Sequence, residues 1–417
     1  VEELEVTIER ILPGGVGLAH AEGRTVLVAL AAPGDRLRVR VESVRGRTTF
    51  ASIVEVLSPS PSRVEPPCPY FGRCGGCDFQ QLDYRAQLDA KVEIIRDCLR
   101  RVARLEPPGE IRITPSPREW RYRSRARWQH DPVRNFLGYY ERGSHRVCDV
   151  VECPVAAPEV ESRLTRLREL MRAGSLPVGA AEFEAVAGDE GVSLAPAIEP
   201  GDEREQTRVI AGERYRFDAG CFFQINHALL EPLVREALRD ASEETESVGA
   251  SDIVEETAGD GASETLNYVS GETALDLYAG VGLFTLPLAR RFSRVIAVEG
   301  NAASTAYARR NLSDAGLSNA RVETGAVGAW LSHNAERMGS ADFILLDPPR
   351  AGAEPEAVRG IITLNPRHIS YVSCDPATLA RDLLALTTAG YHLASVRAFD
   401  MFPQTHHVET VAHLYRS

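Results

Sequence analysis

The stretch LDLYAGVGLFTLPLA, residues 275–289, constrains this chain more than any other. A continuous apolar run reaches a Gly280-x-Gly282 turn and passes directly into a helical pattern. A strand that ends on glycines lets the backbone come close to a ligand, because glycine tolerates positive φ and carries no Cβ. Downstream, RVIAVE, a helix from about Ala302, DFILLD, HISYVSCD, a helix from Pro376, YHLASVRAFD and VETVAHLYR continue the alternation. That order predicts an α/β, Rossmann-like, doubly wound domain over residues 209–417 that binds ligands at the carboxyl ends of its strands. Glu299 closes the second strand nineteen positions after Gly280, where an acid can accept hydrogen bonds from ribose hydroxyls. Asp347, in LLDPPRAG, ends a third strand and aims a carboxylate into the same crevice.

At 417 residues the chain is too long for one core. Residues 1–57 contain short β segments separated by Gly/Pro turns and predict a small OB-like barrel, followed by the linker SPSPSRVEPP. Residues 58–208 form a central α+β domain, in which 82–105 has helical spacing and could pack on the C-terminal domain. Next comes an arginine-rich strand that alternation would divide into two faces. Tyr122, Ser124, Ala126 and Trp128 fall on one, and Arg121, Arg123, Arg125 and Arg127 on the other. The cationic face suits either RNA phosphates or plain solvation. Residues 241–270 are acidic and nearly free of aromatics, and read as a flexible insertion.

The net charge of −12 argues at first against nucleic acid, but its distribution does not. Nine acids and no base lie between Asp240 and Glu264, whereas residues 91–148 hold fourteen Arg or Lys against seven Asp or Glu. Lys91 is the only lysine. No apolar run is long enough for a membrane span, and the N-terminus VEELEVTIER lacks a secretion signal's apolar region, so a cytoplasmic location is expected. No obligate protein partner is implied.

Cys68-x5-Cys74-x2-Cys77 supplies three thiols, with Cys153 the expected distant fourth and Cys148 its rival. Four cysteines suit tetrahedral zinc or a [4Fe–4S] cluster, and spacing leaves both open. A different role is expected of Cys374 in YVSCDPATLARDLLAL. It ends a strand, with Asp375 as a helix N-cap and Pro376 at the first helical position. A thiol beside a helix N-terminus is expected to have a lowered pKa and to be a nucleophile; an arbitrary buried cysteine is merely a small hydrophobe.

DLYAGVGLFTLPLA, LLDPPRAG, YVSCDPATLARDL and MFPQTHHVET resemble four motifs of the bacterial RNA uracil-C5 methyltransferases. GGVGLAH and APGDRLRVRV resemble a TRAM domain. The combination is most similar to the TRAM-containing, iron–sulfur enzymes that act on 23S rRNA, with tRNA T-loop enzymes second and a non-catalytic RNA-binding relative third. The resemblance implies S-adenosylmethionine rather than a dinucleotide, and Thr285 in place of a third glycine agrees. It implies Cys374 as nucleophile and Glu409 as the base. Gln224, Tyr278, Gly280, Gly282, Glu299 and Asp347 would bind the cofactor, and Phe222 would stand beside the target base. It further implies a [4Fe–4S] cluster on Cys68, Cys74, Cys77 and Cys153. The sequence departs from the family pattern at two cofactor-side positions: Leu283 replaces a common Asn, and Ala326 a common Asp or Asn.

Overall fold

The computed structural model describes residues 2–240 and 268–416. Most of the acidic stretch predicted as a flexible insertion, 241–267, lies outside the described residues.

Strands β1 (Glu3–Thr7), β2 (Arg10–Leu12), β3 (Val16–Ala21), β4 (Arg24–Ala29), β5 (Arg36–Arg45) and β6 (Thr48–Ser58) form one sheet in the order β1-β5-β6-β4-β3-β2. Alternation buries Leu4, Val6, Val26, Val28, Leu37 and Val39 in a core of the sheet's own, and β1 also packs on β3, so the sheet curls on itself. Beyond β6 the chain is pinned to it. Asp35, fully buried, accepts hydrogen bonds from Ala32 N, Ser60 N and the Arg63 guanidinium.

Asp83 caps α1 (Tyr84–Cys98), accepting from Ala86 N at 2.8 Å. The helix continues through a wider turn, Leu99–Ala103, which ends on the left-handed Arg104. Its apolar side, Ile95, Cys98, Leu99 and Ala103, shares a core with the C-terminal sheet. The strand β7 (Arg112–Thr114) is an edge strand of that same sheet.

A second sheet, ordered β10-β9-β8-β11-β12, is built from β8 (Arg125–Asp131), β9 (Phe136–Tyr140), β10 (Val147–Asp149), β11 (Glu182–Gly188) and β12 (Gly191–Ala195). Helix α2 (Pro158–Arg172) covers it with Val160, Leu164 and Leu167 against Trp128 and Phe183. Tyr122, Ser124, Ala126 and Trp128 are all buried, as alternation requires. The arginine side is only partly open, with Arg121 and Arg127 exposed. Arg125 and Arg127 both pair with Glu184 on β11, and Arg123 turns toward the cysteines. The cross-strand acid was invisible in the local sequence.

After the hairpin β13 (Gln206–Ile210) and β14 (Glu213–Phe217) and helix α3 (Leu230–Ala237) comes the large sheet. Its strands are β15 (Gly271–Leu277), β16 (Phe292–Glu299), β17 (Ala320–Thr324), β18 (Phe343–Leu346), β19 (His368–Ser373), β20 (His392–Phe399) and β21 (Glu409–Tyr415), in the order β17-β16-β15-β18-β19-β21-β20-β7. Helices α4 (Thr285–Ala289), α5 (Ala302–Asp314), α6 (Val327–Met338), α7 (Pro355–Leu364) and α8 (Pro376–Thr388) connect them. From β15 the chain winds outward to β17, then returns to place β18 on the other side, which opens a crevice at the carboxyl ends of β15 and β18. Strand β21 alone runs antiparallel to both neighbours.

No helix among the described residues is long and apolar enough to cross a membrane.

Candidate active site

Strand β21 decides the site. Its pairing with β19 sets Ser373 opposite Thr410, so the next residue outward on each strand is Cys374 on one and Glu409 on the other. A parallel strand would have placed Glu409 at the far end of the sheet. Asp375 accepts from Ala377 N and Thr378 N, both at 2.9 Å, and starts α8. Cys374 is therefore fixed between a strand end and a capped helix.

Cys374 and Glu409 line a cavity of about 930 Å³ together with Phe222, Gln224, Tyr278, Gly280, Glu299 and Asp347. This is the size class of a cofactor site with room beyond it. Gly282, at the same turn, is not on that wall, but its φ of +94° shapes it. Gly280 also has a positive φ, and a Cβ there would meet nothing within 4 Å, so its glycine is required by conformation rather than crowding. Tyr278 takes positive φ as well, and its hydroxyl bonds Glu354. Glu299 accepts from Gly280 N at 2.9 Å and Asn301 N at 2.6 Å, so it orders the loops around the crevice in addition to facing it. Gln224 donates to Asp347 at 3.3 Å. Phe222 is 57% exposed, with the Arg125 guanidinium 5.8 Å from its ring centre. Leu283 and Ala326 both line the cavity, and Ala326 leaves the first turn of α6 without a side-chain cap.

The cavity wall carries both signs of charge, with Arg123, Arg125, Arg127 and Arg350 beside Glu299, Asp347, Glu354 and Glu409, and the acids close to Cys374 shift one another. Burial raises the carboxyl of Asp347 to about 7, opposed by the Gln224 hydrogen bond and reinforced by Glu299. Burial followed by repulsion from Asp347 raises Glu409 well above the usual carboxylate range, and Arg350 offsets part of this. Glu409 Oε1 has no hydrogen-bond partner. Asp276, fully buried behind the turn, is pushed to about 7 by burial. Carboxyls crowded in this way favour a cation close to Asp347 and Glu409.

Cys374 departs from the sequence-based expectation. Burial first, then the charges of Glu409 and Asp347, push its thiol up to about 12, with Arg350 acting in the opposite sense. The helix start cannot compensate, because Asp375 already takes the free N–H groups of α8 with its own negative charge. Two cavity residues, Arg350 and His407, escaped the sequence reading. Burial, then His406 and Arg350, lowers His407 to about 3, so it is a neutral imidazole.

Cys68, Cys74, Cys77 and Cys153 line a separate small cavity, whereas Cys148 packs in the α2 core. Burial pushes the Cys74 and Cys77 thiols to about 12. Among the described residues, no three His, Cys, Asp or Glu side chains are grouped as a single metal ion requires. Arg123 lines both cavities.

The tRNA (Uracil-5-)-methyltransferase family signature matches residues 260–324 and 331–417, and the TRAM domain signature matches 1–54. The 23S rRNA (uracil(1939)-C(5))-methyltransferase RlmD of Alkalilimnicola ehrlichii is 33% identical, over 99% of this chain and 96% of its own. This chain belongs to the RNA uracil-C5 methyltransferase family. An uncharacterized RNA methyltransferase of Gloeobacter violaceus is 31% identical over 100% of this chain and 97% of its own. The crystal structure of Pyrococcus abyssi tRNA (uracil-54, C5)-methyltransferase in complex with S-adenosyl-L-homocysteine shares the fold, with a TM-score of 0.70 at 24% identity over 99% of this chain and 100% of that one.

With its thiol pKa raised, Cys374 of the ligand-free protein gains about tenfold in thiolate for each pH unit below that value. Its iodoacetamide alkylation rate, followed by peptide mass spectrometry, should therefore climb without levelling between about pH 7 and 9. A plateau already at pH 7 would show a lowered pKa instead.

Proposed function

We propose that this protein methylates carbon 5 of a uracil in 23S rRNA, with S-adenosylmethionine as methyl donor. The observation that carries the reading is the opposition of Cys374 and Glu409 at the edge of an acid-lined cavity. A non-catalytic RNA-binding role would not need a buried carboxyl lacking a hydrogen-bond partner beside a thiol. The target RNA follows the full-length relatives named for 23S rRNA. A cytoplasmic location accords with it.

The positive sulfonium of the donor suits the part of the cavity that holds Asp347, Glu299 and Glu409. Its charge would also favour the thiolate of Cys374 and the carboxylate of Glu409 over their protonated forms, both protons passing to solvent before the sulfur attacks. Carbon 5 of uracil is a weak nucleophile. Bonding of the Cys374 sulfur to carbon 6 turns the ring into an enolate, whose carbon 5 takes the methyl group as S-adenosylhomocysteine leaves. Glu409 then accepts the carbon-5 proton, the carbon–sulfur bond breaks, and its electron pair returns to Cys374 as thiolate. Phe222, exposed at the cavity wall, offers a face on which an unstacked base can rest. Gln224, Tyr278, Gly280, Gly282, Glu299 and Asp347 would hold the donor.

We assign a [4Fe–4S] cluster to Cys68, Cys74, Cys77 and Cys153. Arg123 supports the fit: its Nε is buried without a partner, and its neighbours are Tyr122, Tyr139, Cys77 and Cys153 rather than a carboxylate. A buried guanidinium requires negative charge beside it, and four metal-bound thiolates would supply it. The cluster would brace the central domain, since methyl transfer moves no electrons.

Incubation with S-adenosylmethionine and 5-fluorouridine-substituted transcripts tests the reaction, because fluorine cannot leave as a proton does. A covalent complex should accumulate on 23S rRNA, not on tRNA, and be absent in Cys374→Ala. Adducts on tRNA alone would redirect the assignment, and adducts on neither would end it. An anaerobic preparation should absorb broadly near ~400 nm; a colourless protein with stoichiometric zinc would contradict the cluster.

A further inference from the structure

Glu409 begins a strand, but the segment that delivers it, Phe402–Val408, has no regular structure. What holds this segment comes from far away in sequence. Asp78, the residue after Cys77, grips it at several points. Asp78 N and Phe79 N donate to Gln404 O at 3.1 and 3.0 Å, and Asp78 Oδ1 accepts from His406 N at 2.8 Å. Asp78 Oδ2 also bonds His406 Nδ1 at 2.5 Å. On the other side, α1 presents Gln87 to Gln404 through two hydrogen bonds, and Lys91 to Asp400 and Phe402 O. Lys91, the chain's only lysine, is wholly buried in that pair.

The barrel closes the third side. A Cβ on Gly15 would stand 2.9 Å from His406 Cβ and 3.1 Å from Asp78 Oδ2, so the Gly15 turn fits over this pair with no room to spare. Gln404 itself sits at φ +68°, a conformation that non-glycine residues adopt only when their surroundings impose it. The His406 ring lies 4.1 Å from that of His407, which lines the catalytic cavity two residues before Glu409.

We infer that Asp78 is a positioning residue for Glu409: through His406 it fixes the segment 404–407, and so sets the carboxyl that removes the carbon-5 proton. The inference rests on the proposed reaction. It also gives the cysteine loop a function in a reaction to which that loop contributes no reacting atom. Cys374 hangs from β19 and α8 and is not held by the clamp, so the two chemical steps depend on Asp78 unequally. Loss of the clamp leaves addition and methyl transfer in place and slows proton removal.

That inequality is what the test reads. Asp78→Ala removes both acceptors that hold His406; His406→Phe removes the side-chain contact and leaves the residues of the cysteine loop unchanged. Each variant is given unmodified rRNA and S-adenosylmethionine, then denatured and resolved for protein-bound RNA. In parallel, the rate of adduct formation on 5-fluorouridine RNA is measured. Both variants should accumulate a methylated covalent complex on unmodified RNA that wild type does not, with turnover down at least ~tenfold and the fluorouridine adduct rate within about twofold of wild type. Turnover without an accumulating complex, or equal loss of both steps in either variant, overturns the clamp. A wild type that forms no adduct at all would instead remove the proposed reaction beneath it.

Discussion

The antiparallel pairing of β21 with β19 is the constraint on which the site depends. A doubly wound sheet delivers the carboxyl ends of its parallel strands to one edge, so every residue brought there follows a strand. Asp347 and Cys374 arrive in that way, after β18 and β19. Glu409 arrives by the opposite route, as the first residue of a strand running backwards. Only that reversal lets an acid close to the chain end face a thiol that precedes a helix.

The same compactness creates the electrostatic problem of the ligand-free protein. Asp347, Glu409 and Asp276 are all pushed toward protonation by burial, and the thiol is pushed toward its neutral form. A positive charge in the cavity would oppose each of these shifts. Arg350, which also lines the cavity, opposes the shifts of both Cys374 and Glu409.

The local parts of this arrangement were legible in the sequence. The Gly280-x-Gly282 turn, the Asp375 cap with Pro376 behind it, and the buried face from Tyr122 to Trp128 each follow from a rule that acts within a few residues. What depends on contacts distant in sequence was not legible. Glu184 neutralises Arg125 and Arg127 from another strand, and Asp78 meets His406 across 328 positions. The thiol belongs here too: its helix start was read correctly, but burial, and then acids at the start of β21 and just after β18, outweigh it. Strand β7, grouped by sequence with the central domain, instead forms an edge of the large sheet, whereas the packing of helix α1 on that sheet was expected from its helical spacing.

The central claim is that Cys374 attaches the ring and Glu409 releases it. The most direct measurement is the intact mass of Glu409→Gln after incubation with an unmodified rRNA fragment and S-adenosylmethionine. The account predicts a covalent protein–RNA species heavier by one methyl group and attached through Cys374. Normal release of methylated RNA by this variant, or a covalent species that persists in Cys374→Ala/Glu409→Gln, would contradict it.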